Sequence, residues 1–160
     1  MTTLYFEDLE PGRTYDLGEV AVDEQEMVDF ARRFDPQPFH VDPEAAKDTP
    51  FGGLIASGWY TCALFMRMYV DTVVSRTVSH GSPGGDELRW LAPVRAGDVL
   101  HGRLTILDSW RSSKRPDRGT VLIQSELLRD GEPVLRMKFR GMFGRRPPAP
   151  DYLRGPTERR

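Results

Sequence analysis

Asp35 and His40 stand five positions apart in the run Asp35-Pro36-Gln37-Pro38-Phe39-His40. A carboxylate and an imidazole are side chains suited to taking a proton from water and handing one on. Converging on one water molecule, they would make an acid/base pair. On a helix, five positions would leave them about 140° apart by the 3.6-residue repeat. Pro36 and Pro38 oppose that helix, because each lacks an amide proton and pushes its predecessor toward extended geometry. Residues 35–40 are therefore expected to form a rigid, non-helical loop that can turn both side chains the same way. Read without their neighbours, the same residues also suit a turn aspartate bonded to local amides beside a structural histidine.

A second feature is Ser57-Gly58. The free amides that open a helix stabilise charge developing on an oxygen. Ser57 suits the N-cap and Gly58 allows a ligand close to the backbone. The alternative is that Gly58 only relieves packing where the helix enters the sheet. Farther on, Trp110–Gly119 places Arg111, Lys114, Arg115 and Arg118 between two strand-like runs. Such cations suit phosphate groups, or simply a solvated turn that discourages edge pairing. His80 and His101 have no metal-site spacing with His40, so no metal is expected. Gly81, Gly84 and Gly85 lack the following helix that a phosphate loop requires.

The elements that must position these residues are legible as periodicity. Residues 13–22 read as a strand. Asp23-Glu24-Gln25-Glu26-Met27-Val28-Asp29-Phe30-Ala31-Arg32-Arg33-Phe34 puts Met27, Phe30, Ala31 and Phe34 on one helical face, and Asp23 with Glu26 fits a capping box. Asp42-Pro43 opens a short helical turn that Pro50 and Gly52-Gly53 close. From Ser57 to about Ser75, Trp59, Cys62, Ala63, Met66, Tyr69, Val70 and Val73 recur at helical spacing, which predicts a long buried helix. Four strand-like runs follow, at 85–91, 98–110, 119–129 and 133–144. Arg95-Ala96-Gly97-Asp98 and Arg129-Asp130-Gly131-Glu132 carry hairpin chemistry. A strand, a buried helix and an antiparallel meander predict an α+β domain with a sheet wrapped around one helix. Trp90 is expected in the core and Arg89, alternating with it, on the surface or at an interface.

Composition fits one domain. The chain has 160 residues, 39% of them hydrophobic, enough for a real core and short for two. One domain over 1–146 is expected, with a mobile tail over 147–160, where Pro147, Pro148 and Pro150 interrupt any periodicity. The formal net charge of -2 gives no field that would hold nucleic acid or an anionic membrane. Cys62, the single cysteine, is expected to be a small buried side chain. With no apolar stretch of signal or spanning length, a cytoplasmic location is expected.

The run Asp35-Pro36-Gln37-Pro38-Phe39-His40, then Phe51-Gly52-Gly53-Leu54-Ile55-Ala56-Ser57-Gly58, and later Glu87–Val94 with Gly97-Asp98, resembles the MaoC-like family, which includes the R-specific enoyl-CoA hydratases. That family carries Asp-x-Asn-Pro-x-His followed by Ile-x-His-Gly at the head of its central helix. Gln37 and Ser57 depart from this pattern. The resemblance covers roughly residues 5–145 and implies a single hot-dog domain, an antiparallel sheet around a long central helix. It also implies a homodimer, possible higher homo-oligomers, and an acyl-CoA tunnel at the subunit interface. By the same resemblance Asp35 and His40 are the water-holding acid/base pair and Gly58 N–H the oxyanion donor. Gln37, Pro38 and Ser57 are expected against the substrate, with Arg111, Lys114 and Arg115 on the nucleotide end of coenzyme A. No cofactor is expected beyond the coenzyme of the substrate. The implied reaction is reversible hydration of a 2-enoyl-CoA. A hot-dog thioesterase and a catalytically decayed acyl-CoA-binding dimer are the alternatives.

Overall fold

The structure is a computed structural model that describes residues 2–148. Nearly all of the expected tail therefore lies outside the described residues. β1 (Thr14–Ala21) leads into α1 (Glu24–Phe34), a single-turn α2 (Pro38–Val41), α3 (Pro43–Lys47) and the long α4 (Gly58–Thr72). β2 (Gly84–Trp90), β3 (Val99–Arg111), β4 (Arg118–Arg129) and β5 (Glu132–Gly144) complete the chain. The strands lie within about a residue of where alternation places them.

The five strands form one antiparallel sheet in the order β1-β3-β4-β5-β2. Asp130 and Gly131 both have positive φ, 51° and 82°, the geometry of the tight turn that Asp-Gly favours. This turn makes β4 and β5 a hairpin. The Arg95–Asp98 turn is also real, with the Asp98 amide donating to the Arg95 carbonyl at 3.1 Å. It joins no hairpin, however. β2 pairs with β5 at the far edge rather than with β3, so residues 91–98 are a crossover beneath the head of α4. The difference has a plain cause, since turn chemistry specifies a reversal of the chain but not which strand lies beside which.

α4 packs across the concave face of the sheet. Tyr60, Thr61, Leu64, Phe65, Met68 and Tyr69 are buried, against Leu104, Val121, Ile123, Leu127 and Leu135 among others. This corrects the face read from the sequence over the first turns of α4, whereas Tyr69 and Val73 are buried as expected. Of Trp59, Cys62, Ala63 and Met66, none is buried, and Trp59 and Met66 are largely exposed. Both flanks of α4 are apolar, so periodicity alone could not say which one met the sheet. Phe34 is also exposed, because the last turn of α1 runs past the core.

On the convex face, Glu126 is only 3% exposed and lies in register between Arg103 and Arg136. Arg103 Nη2 donates to its Oε2 at 2.7 Å and Arg136 Nε to its Oε1 at 3.1 Å. Burial pushes the Glu126 carboxyl up, but the two guanidiniums outweigh it and hold the group below its ordinary value. At the other end of the ledger of polar groups, Asp23 caps α1 by accepting from the Glu26 amide at 2.8 Å. Glu26 does not close the box. Its Oε2 accepts from the Tyr60 hydroxyl at 2.7 Å instead, which ties α1 to the first turn of α4.

Leu127 lies fully buried on the central strand beneath α4. Leu127→Ala is expected to lower unfolding free energy by about 2–5 kcal/mol, the range for a buried leucine that leaves a cavity. Urea unfolding would measure it, and a loss below about 1 kcal/mol would show that the site collapses freely.

Candidate active site

The site is assembled where α1 ends. The Asp35 amide still donates to the Ala31 carbonyl at 2.8 Å, but Pro36 cannot continue the helix. The chain bends, and Pro38 then takes the first position of α2, where a missing amide proton costs nothing. The expected non-helical loop is thus corrected in its second half, since Pro38–Val41 is a helical turn. Proline stops one helix here and starts the next.

Two hydrogen bonds pin this turn to the segment that precedes α4. The Ile55 amide donates to the Phe39 carbonyl at 3.0 Å, and His40 Nδ1 lies 2.8 Å from the Ile55 carbonyl. A carbonyl only accepts, so Nδ1 carries the proton there. Nε2 is left to face Asp35, 3.3 Å from Oδ2. His40 is 5% exposed.

Asp35 is held from three sides. Gln37 Nε2 donates to Oδ1 at 2.7 Å, and Ser57 Oγ donates to Oδ2 at 2.7 Å. Burial pushes the Asp35 carboxyl up, but the Ser57 and Gln37 hydrogen bonds and the charge of His40 outweigh it and hold the group below its ordinary value. Asp35 is therefore a carboxylate near neutral pH. Ser57, fully buried, also caps α4, its Oγ accepting from the Trp59 amide at 3.3 Å.

Gly58 opens α4 beside this pair, and its amide has no carbonyl one turn earlier to which it could donate. A Cβ added at Gly58 would lie 2.4 Å from the Trp90 ring, so the absence of a side chain is a requirement of packing as well as access. Asp35, Gln37, His40 and Gly58 share a cavity of about 450 Å³ whose other walls include Phe51, Trp59, Thr61, Trp90 and residues 91–94. The crossover is anchored there by the Ala56 amide, which donates to the Val94 carbonyl at 2.7 Å. The Arg95 guanidinium also donates to the carbonyls of Phe51 and Leu54.

Several of these parts escaped the sequence reading. Trp90, expected in the core, is 46% exposed at the cavity mouth, because β2 is an edge strand and nothing among the described residues pairs beyond it. Its ring meets Trp59 edge-on, with centroids 5.2 Å apart. The lining role of residues 91–94 had no local signal, since it depends on the crossover. Pro38 begins the turn that carries His40. Cys62 is half-buried, and burial pushes its thiol up. Arg111, Lys114 and Arg115 are not brought to the cavity within the chain. β3 runs 13 residues from Val99 to Arg111, and its rise separates the two ends by about 40 Å.

A sheet curved around one helix, with a carboxylate and an imidazole beside the helix head, defines a hot-dog domain with a candidate acid/base site. Residues 7–126 match the MaoC-like domain family, and the chain belongs to that family. A 3-hydroxybutyryl-CoA dehydratase from Methylorubrum extorquens is 29% identical over 145 residues, 86% of this chain and 86% of that protein. The crystal structure of a MaoC-like dehydratase from Rhodospirillum rubrum is 41% identical, covers 90% of this chain and 99% of its own, and superposes with a TM-score of 0.80. The unliganded R-hydratase from Pseudomonas aeruginosa shares the fold at 23% identity, covering 90% and 88% with a TM-score of 0.72.

Two outcomes follow from this geometry. Gly58→Ala is expected to destabilise the protein by about 1–3 kcal/mol, the cost of overpacking, and the loss should shrink when Trp90→Ala is added. Additive losses in urea unfolding would show that the ring is not the obstacle. The second concerns pH. Folding lowers the Asp35 pKa, so its ionised form contributes stability that is present above the unfolded value of about 4 and is lost as pH falls through the folded value. The wild-type advantage over Asp35→Asn in unfolding free energy is expected to shrink as pH drops below about 4. An advantage independent of pH in that window would contradict the assignment.

Proposed function

We propose that this chain catalyses the reversible addition of water to a 2-enoyl-CoA, giving a 3-hydroxyacyl-CoA. The observation that carries the reading is the convergence of Asp35 and His40 on one cavity beside the Gly58 amide. The name of the Methylorubrum extorquens relative, 3-hydroxybutyryl-CoA dehydratase, supports it.

In the hydration direction the Asp35 carboxylate takes a proton from water as the water oxygen bonds to the β-carbon. Charge moves onto the thioester oxygen, where the Gly58 N–H stabilises it. Protonated His40 donates from Nε2 to the α-carbon, and the carboxylic acid then returns its proton to the imidazole across their 3.3 Å contact. Atoms and charge balance, and both residues end as they began. No bound cofactor enters these steps, and coenzyme A is present as part of the substrate.

The working unit in this reading is a homodimer in the cytoplasm. The half of α4 that carries Trp59 and Met66 is exposed and apolar, and the Trp59–Trp90 contact makes it continuous with the β2 edge. A second copy seated there would close the open side of the cavity. The cationic loop could reach coenzyme A only from a partner chain.

Crotonyl-CoA is expected to lose its enoyl absorbance on incubation with the protein, without release of free thiol. Thiol release from acetyl-CoA or crotonyl-CoA would favour hydrolysis of the thioester and overturn the reading. Asp35→Asn and His40→Ala should each lower turnover at least about 10²-fold, as for a positioned acid or base, while remaining folded. Wild-type rates in either variant would remove the mechanism.

A further inference from the structure

The Ser57 hydroxyl is used twice. Its oxygen accepts from the Trp59 amide at 3.3 Å, and its proton goes to Asp35 Oδ2 at 2.7 Å, across 22 positions of sequence. The cap requires only an accepting oxygen. Donation to Asp35 is therefore a separate property of a hydroxyl, and Ser57 is fully buried, so no solvent competes for it.

The oxygen that Ser57 holds is also the one that faces His40 Nε2. Gln37 Nε2 holds the other oxygen at 2.7 Å. With both oxygens fixed, the carboxylate cannot turn about its Cβ–Cγ bond without breaking a charge-assisted hydrogen bond. The titratable group facing Asp35 is His40, while Ser57 and Gln37 are neutral donors. Ser57 thus fixes the base and the helix head in one frame, since Gly58 is the next residue.

We infer that Ser57 is a positioning residue whose buried hydroxyl holds the Asp35 carboxylate turned toward His40, with Gln37 supporting it from the solvent side. Its kinetic consequence rests on the hydratase reading, whereas its effect on Asp35 does not. A carboxylate that loses a donor to its ionised form binds a proton more readily, so its titration moves to higher pH. The acid limb of kcat/KM, set by the base, moves the same way.

The test uses the intact protein with Ser57→Gly, which keeps a favourable N-cap residue without the hydroxyl. Ser57→Cys, similar in size but a weak donor, and Ser57→Thr, which keeps the hydroxyl, complete the set. Carbon-13 NMR of labelled aspartate follows the Asp35 carboxyl directly. Its titration is expected at higher pH in the Gly and Cys variants and near wild type in Ser57→Thr. With crotonyl-CoA, kcat should fall roughly tenfold in the first two, as for one lost hydrogen bond to a charged group, with a smaller change in KM. Ser57→Thr should recover most of the rate. Unchanged Asp35 titration in whichever of Ser57→Gly and Ser57→Cys folds overturns the inference, as does loss of the wild-type titration in a folded Ser57→Thr. Absence of crotonyl-CoA hydration by the wild-type protein would instead defeat the hydratase reading and leave the titration to decide the role of Ser57.

Discussion

A carboxylate partly withdrawn from water, as Asp35 is, is costly unless donors replace the lost solvent. Most of the site follows from how Asp35 meets that constraint. Its three polar partners come from three places: the donors Gln37 from the bend after α1 and Ser57 from the head of α4, and the His40 imidazole from the turn α2. Satisfying one side chain thus draws together segments separated by more than twenty positions. The same contacts keep Asp35 ionised and aim it at the imidazole. Structural demand and the proposed chemical use coincide in one group.

The frame around it is built to keep that geometry. α4 is buried along one flank by the sheet and tied to α1 by Tyr60 and Glu26. The Ile55 carbonyl orients the His40 ring by accepting from Nδ1 and the Ile55 amide fixes the turn that carries it. Arg95 and Val94 fasten the crossover to residues 51–56. Each link is a neutral or charge-assisted hydrogen bond of modest net worth, about 0.5–3 kcal/mol. Their number around one cavity is what restrains it. The Gly58–Trp90 contact adds a steric limit, because a wall of the cavity rests on the backbone where a Cβ would be.

The apolar flank that α4 turns away from the sheet has the same character as the flank it buries. Trp59 and Met66 remain exposed on it, and Trp90 and Leu91 are exposed at the β2 edge. In the homodimer proposed above, a second copy would bring its own surface to the cavity mouth, which is walled by half-exposed tryptophans, and would cover this flank of α4.

What the sequence by itself determined was local. The strands, α1 with its Asp23 cap, the proline stop after Asp35, the Asp130-Gly131 hairpin and the Ser57 cap each follow from propensities that act within a few residues. The pairing of Asp35 with His40 was legible too, because two prolines dictate a bend and the surrounding motif is specific. Only the tertiary structure decided that β2 lies beside β5, that the other flank of α4 meets the sheet, and that Trp90 walls a cavity. It alone showed that Ser57 and Gln37 hold the same carboxylate. The physical reason is range: hydrogen-bonding capacity and periodicity are properties of a short segment, whereas the partner that satisfies a buried group is chosen by the packing of segments far apart in the chain.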